Sequence, residues 1–125
     1  MEAKQILIVD DEEDIRDVAK LALEMLGGWQ VLTASSGSQG LLVAQKEQPD
    51  AILLDVMMPN MDGVATFEKL QANPATQNIP VIFLTAKVQS ADQRRFDELG
   101  VKAVIAKPFK TMNLANQVAE ILGWD

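Results

Sequence analysis

Ile6-Leu7-Ile8-Val9-Asp10-Asp11, and further along Ala51-Ile52-Leu53-Leu54-Asp55, are two uninterrupted apolar runs that each end on acid. Apolar residues that do not alternate with polar ones predict a short strand buried on both faces. Two more runs are Pro80 to Leu84 and Ala103 to Ile105, with Val31 to Ala34 as a weaker fifth. The intervening segments have helical spacing. Ile15, Ala19, Ala22 and Leu26 mark the inward stripe of a first helix closed by Gly27-Gly28, and Ser36 to Glu47 predicts a second that turns Leu41 and Ala44 inward. Val64 to Gln71 predicts a third, stopping before Asn73-Pro74. Ser90 to Leu99 predicts a fourth ending at Gly100, and Met112 to Leu122 a fifth ending at Gly123.

Strand and helix alternate five times. Such alternation implies an α/β fold, a parallel sheet covered on both faces through right-handed crossovers. The expectation is a doubly wound five-stranded parallel sheet with five helices, flavodoxin-like, in the strand order 2-1-3-4-5 common to that class. With 125 residues, 48% of them apolar, residues 1–125 are expected to form one domain without an output domain. The formal charge of -7, spread along the chain, argues against a nucleic-acid partner held through its phosphates. No run is long enough to span a bilayer and the N-terminus lacks a signal peptide's long apolar stretch, so the expected location is the cytoplasm, with no membrane partner. The chain has neither cysteine nor histidine, which excludes thiol chemistry and leaves oxygen as the only donor type for a metal.

The first strand runs into Asp10-Asp11, the third into Asp55, the fourth into Thr85 and the fifth towards Lys107. The carboxyl ends of parallel strands lie along one edge, where ligands bind in open α/β sheets. Taken singly, each residue has an ordinary role: Asp10 or Asp11 as a helix cap, Asp55 as the start of a turn towards Pro59, Thr85 satisfying a loop amide, Lys107 solvated. Taken together, three carboxylates at one edge repel one another unless a cation compensates. All-oxygen ligation with few protein donors suits Mg²⁺. Asp10 or Asp11 is expected to supply one ligand, Asp55 a second and the main-chain carbonyl of Met57 a third. Asp55 is then a candidate carboxylate nucleophile towards phosphorus, with Lys107 and Thr85 as donors to the phosphoryl oxygens.

These residues resemble the receiver domains of response regulators in bacterial two-component systems, here of the single-domain type. The resemblance runs through Ile6 to Asp11, Asp55-Val56-Met57-Met58-Pro59-Asn60-Met61-Asp62-Gly63, Leu84-Thr85-Ala86 and Lys107-Pro108-Phe109. It implies that Asp55 is the phosphoacceptor, Asp10 and Asp11 the acidic pair that holds Mg²⁺, Thr85 the switch hydroxyl and Lys107 the phosphate-contacting lysine, carried on a cis Lys107–Pro108 peptide. It also implies self-catalysed phosphoryl transfer and slow autodephosphorylation rather than enzymatic turnover, with Met57 and Lys87 at positions that influence hydrolysis. One departure is Val104, three residues before the lysine, where the family commonly places Tyr or Phe; the chain has no Tyr at all.

Without histidine the chain cannot donate to itself from phosphohistidine. The resemblance implies a histidine kinase or phosphotransfer protein as donor, an unknown protein as downstream target, and a monomer or weak homodimer. The fourth helix is nearly all polar, anchored by Phe96 and Leu99, and is expected to be mobile. On the fifth helix Leu114, Ile121 and Trp124 widen the apolar surface, which fits either a partner patch or a wide buried face. The competing readings are a receiver-fold interaction module that does not depend on phosphorylation, and a metal-dependent phosphohydrolase. Aspartyl phosphohydrolases of the haloacid-dehalogenase type place a second Asp two positions after the nucleophile, where this chain has Met57. A flavodoxin is weaker still, because Asp10-Asp11-Glu12-Glu13 would repel a flavin phosphate.

Overall fold

The computed structural model describes residues 4–86 and 90–124. The elements are β1 (Gln5–Val9), α1 (Glu13–Gly27), β2 (Gln30–Ala34), α2 (Gly37–Glu47), β3 (Ala51–Asp55), α3 (Gly63–Ala72), β4 (Val81–Thr85), α4 (Ser90–Leu99), β5 (Ala103–Ala106) and α5 (Thr111–Leu122). All strand pairs are parallel and the order is β2-β1-β3-β4-β5, as the alternation and fold class predict. Lys87 lies outside the described residues.

Alternate strand residues feed two cores. Ile6, Ile8, Leu53, Ile82 and Leu84 pack against Ala19 and Leu23 of α1 and Leu114 and Val118 of α5. Leu7, Val9, Ile52, Leu54 and Phe83 face the other way, against Ala44, Val64, Phe67 and Phe96 on α2, α3 and α4. Each fully buried Leu or Ile contributes about 1.5–3 kcal/mol. The apolar runs of β1, β3 and β4 are therefore buried throughout, as expected of strands covered on both sides. The edge strands differ: Thr33 of β2 and Ala106 of β5 are exposed, and Ala103 and Val104 are half-buried. An edge strand has a neighbour on one side only, so the covering layers thin out there.

Helix ends follow local chemistry. The Ser36 hydroxyl accepts from Gln39 N at 3.1 Å to cap α2, and the Asp62 carboxylate accepts from Ala65 N at 2.8 Å to cap α3. The inward stripe expected for the first helix needs correction at Leu26, which is 56% exposed. After α1 the chain turns through Gly28 in the left-handed region (φ 70°), with Gly28 N donating to Glu24 O. This turn brings the Trp29 ring against Gly27 at the helix end, into the core that Leu23 shares. Trp29 packs edge-on against Trp124 (centroids 5.0 Å apart, 79°), and Lys4 Nζ lies 5.6 Å from the Trp124 ring centroid. On α5, Leu114 is buried while Ile121, Leu122 and Trp124 are partly buried against the core, so the extra apolar residues there form a wide buried face.

Phe96 anchors α4. Its ring meets Phe83 edge-on at 5.1 Å, and Phe83 in turn meets Phe67 at 5.8 Å, an aromatic row joining α4, β4 and α3. Val104 pairs with Phe83 in the sheet register. None of the helices among the described residues is long and apolar enough to cross a membrane.

Candidate functional site

Register brings the polar residues together. Val9 pairs with Leu54, so Asp10 and Asp55 emerge side by side from β1 and β3. Asp55 pairs with Leu84, the residue before Thr85, and Thr85 pairs with Ala106, the residue before Lys107. Lys107 N donates to Thr85 O at 2.9 Å, extending the ladder one step past β5. The Lys107–Pro108 peptide is cis, as the sequence resemblance implies.

Three carboxylates, those of Asp10, Asp11 and Asp55, offer oxygens that all lie within 4.8 Å of one another. Asp10 and Asp55 are buried, Asp11 exposed. Lys107 Nζ sits between the buried pair, 2.7 Å from Asp10 Oδ2 and 3.3 Å from Asp55 Oδ1, and its side chain is only 13% exposed. The reading of Lys107 as a solvated end residue is therefore excluded. Asp55 Oδ1 also accepts from Met57 N at 3.2 Å. Asp55 Oδ2 is buried and has no hydrogen-bond partner among the described residues. Thr85 is fully buried at the end of β4.

Burial pushes the Asp55 carboxyl up to about 6, and the neighbouring Asp10 charge adds to this; Lys107 and the Met57 N–H work against it. For Lys107, burial alone would lower the ammonium pKa. Its hydrogen bond to Asp10, the charge of Asp10 and then that of Asp55 outweigh burial and hold it above the ordinary lysine value.

Neither Asp10 nor Asp11 caps α1. The N-cap is Glu12, without a side-chain cap bond, and Asp10 Oδ1 instead accepts from Glu12 N at 2.9 Å. The loop from β3 into α3 turns at Asn60 (φ 66°) and closes through Gly63 N donating to Val56 O at 2.9 Å. A Cβ on Gly63 would lie 2.7 Å from Val56 Cα and collide with the Asp55 carbonyl, so this loop can lie so close to the acid only because residue 63 has no side chain.

One residue of the site escaped sequence reasoning. Arg16 Nη1 donates to the Asp10 carbonyl at 2.7 Å. It lies in a run of charged residues on α1, and nothing in the pattern sets it apart from Lys20.

The site fits a small divalent cation on its own chemistry: a donor set made only of oxygen, a buried carboxylate oxygen without a partner among the described residues, and like charges brought within contact range.

Residues 6–119 match the family described as the response regulator receiver domain. The alkaline phosphatase synthesis transcriptional regulatory protein PhoP of Bacillus subtilis is 39% identical over 119 residues, which is 95% of this chain and 48% of that protein. The chain spans about half the length of the curated relatives it matches. Among solved structures, the Vibrio cholerae chemotaxis protein CheY4 superposes with a TM-score of 0.88 at 27% identity, covering 95% of this chain and 98% of that one. The receiver domain of the Pseudomonas aeruginosa sensor histidine kinase PA1611, which has a magnesium ion coordinated in its active-site cleft, gives a TM-score of 0.84 at 29% identity, covering 97% and 98%. With strand order, site geometry and sequence in agreement, this chain belongs to the response regulator receiver domain family.

Proposed function

We propose that this receiver takes a phosphoryl group on Asp55, with Mg²⁺, from a histidine kinase or phosphotransfer protein in the cytoplasm, and signals by protein contact or by passing the group on. One observation carries this reading. The Asp55 carboxylate is buried with Oδ1 held by Met57 N and Lys107, while Oδ2 has no partner among the described residues. An oxygen so placed is oriented for a bond to phosphorus.

Asp10, Asp11, Asp55 and the main-chain carbonyl of Met57 would hold Mg²⁺, which when bound neutralises charge on the carboxylates and the phosphoryl oxygens. Attack by the ionised Asp55 forms an O–P bond as the P–N bond of a phosphohistidine breaks. The departing imidazole nitrogen takes its proton from solvent, and the product is a mixed carboxylic–phosphoric anhydride. Lys107 already stands 3.3 Å from the attacked carboxylate and supplies positive charge to a phosphoryl oxygen. Thr85, at the next strand end, supplies a hydroxyl to another. Asp55 attacks as the carboxylate, so a general base is unnecessary. The donor histidine lies outside these 125 residues, which contain none.

A second reading, an interaction module indifferent to phosphate, is favoured by one feature. Val104 pairs with Phe83 where the family commonly has an aromatic residue. Mg²⁺-dependent labelling by a small phosphodonor and by a histidine kinase, read by intact mass, separates the two. A base-labile adduct that is absent from Asp55→Ala is the expected result. Labelling that persists in Asp55→Ala, or its absence with both donors when Mg²⁺ is bound, overturns the proposal.

A further inference from the structure

The turn between β1 and α1 carries two of the three carboxylates, yet little of it is held by regular structure. The sheet register of β1 ends at Val9, and Glu12, the N-cap of α1, makes no side-chain cap bond. Asp10 bridges this gap by four contacts. Its N–H donates to Ala34 O at 3.1 Å, its Oδ1 accepts from Glu12 N, its Oδ2 accepts from Lys107 Nζ, and its carbonyl accepts from Arg16 Nη1 at 2.7 Å. Rotation of the peptide between Asp10 and Asp11 would swing the two carboxylates relative to each other; the bond from Glu12 N spans this peptide, and the bond from Arg16 grips it directly at its oxygen. The donor is charged and the bond short, which makes it stronger than a neutral contact. The guanidinium presents its donors in a rigid plane, whereas a lysine would offer a flexible point charge.

We infer that Arg16 is a positioning residue: by holding the Asp10 carbonyl it sets the angle between the Asp10 and Asp11 side chains, and so the affinity of the acidic pair for Mg²⁺. Arg16 does not touch the metal or the phosphoryl group; it acts through the peptide it grips. Groups that orient metal ligands from behind typically change affinity by about 10–100-fold when removed. The inference rests on the reading that this pair holds Mg²⁺.

Arg16→Ala, Arg16→Gln and Arg16→Lys are compared with the wild-type chain by calorimetric titration with MgCl₂, together with amide hydrogen exchange of the metal-free proteins. Arg16→Ala is expected to weaken Mg²⁺ binding about tenfold. The same variant is expected to speed exchange about tenfold at the Glu12 amide, which donates to Asp10 Oδ1, with the β3 amides unchanged. Arg16→Gln, which keeps a planar donor, recovers more of the affinity than Arg16→Lys. An Arg16→Ala protein with lowered melting temperature but wild-type Mg²⁺ affinity and wild-type exchange at Glu12 overturns the inference alone, leaving Arg16 a structural residue. A wild-type chain that binds no Mg²⁺ overturns both the inference and the metal site on which it rests.

Discussion

Replacing Asp55 with Asn is predicted to stabilise the metal-free fold at neutral pH. Asn keeps the shape of the side chain and an oxygen that accepts from Met57 N and Lys107, but it removes the charge. In the folded protein the carboxyl pKa lies at about 6 against an ordinary 3.8, chiefly because burial disfavours the ionised form. A shift of two units or so corresponds to about 3 kcal/mol. Because the folded value is the higher one, stability from this group is fully present below about pH 4, where both states are protonated. It is lost as the pH rises through about 6. Above that, the wild type carries the whole penalty and Asp55→Asn does not, so in EDTA at pH 7.5 the variant should be more stable by up to about 3 kcal/mol, or roughly 10 °C in melting temperature. The assay is denaturant unfolding of both proteins from pH 3.5 to 8 in EDTA, repeated with Mg²⁺. The gap should close below pH 4. Added Mg²⁺ should narrow it at neutral pH by stabilising the wild type more than the variant. A variant no more stable than the wild type at pH 7.5, or a gap that stays constant with pH, would refute the account of Asp55 as a carboxylate held ionised against the preference of its surroundings.

Lys107→Ala removes the cation lying between Asp10 and Asp55. Mg²⁺ binding should survive, while the phosphorylation rate falls at least about tenfold, a conservative share of the loss typical for a charge-stabilising donor; a labelling time course at wild-type speed removes Lys107 from the chemistry. Gly63→Ala places a methyl group 2.7 Å from Val56 Cα, in the loop that leaves the acid. It should destabilise by about 1–3 kcal/mol and also slow labelling, because the collision moves the chain around Asp55; normal labelling with reduced stability would show that the loop absorbs the strain elsewhere.

Most of the fold is legible in the sequence because the central strands obey the simplest rule available, continuous apolarity between turn residues. The runs at residues 6–9 and 51–54 are buried on both faces as read, and so is the run from Pro80 to Leu84 except for the half-buried Pro80 that precedes β4. Leu26, in the last turn of α1, is exposed while Trp29 beyond the helix end is buried, and the spacing of apolar residues within a helix carries no information about the chain beyond its cap. The site is legible for a related reason. In a parallel sheet the residues that end or follow the strands appear at one edge, so Asp10, Asp55, Thr85 and Lys107 are placed by topology before any side-chain geometry is known. Arg16 is illegible because its role depends on a reach of six residues back to a carbonyl, and no periodicity encodes that. Likewise the pairing of Lys107 with both buried acids, rather than with solvent, follows from three-dimensional proximity across β1, β3 and β5.

The edge-on pair of Trp29 and Trp124 sits at the opposite end of the sheet from Asp55, before β2 and after α5. These are the only tryptophans in the chain and there is no tyrosine, so almost all of its near-ultraviolet emission originates there. Intrinsic fluorescence is therefore a sensor of global unfolding that is largely silent to events at the carboxylates. An optical record of phosphate arriving at this receiver requires a fluorophore introduced near the β3–α3 loop.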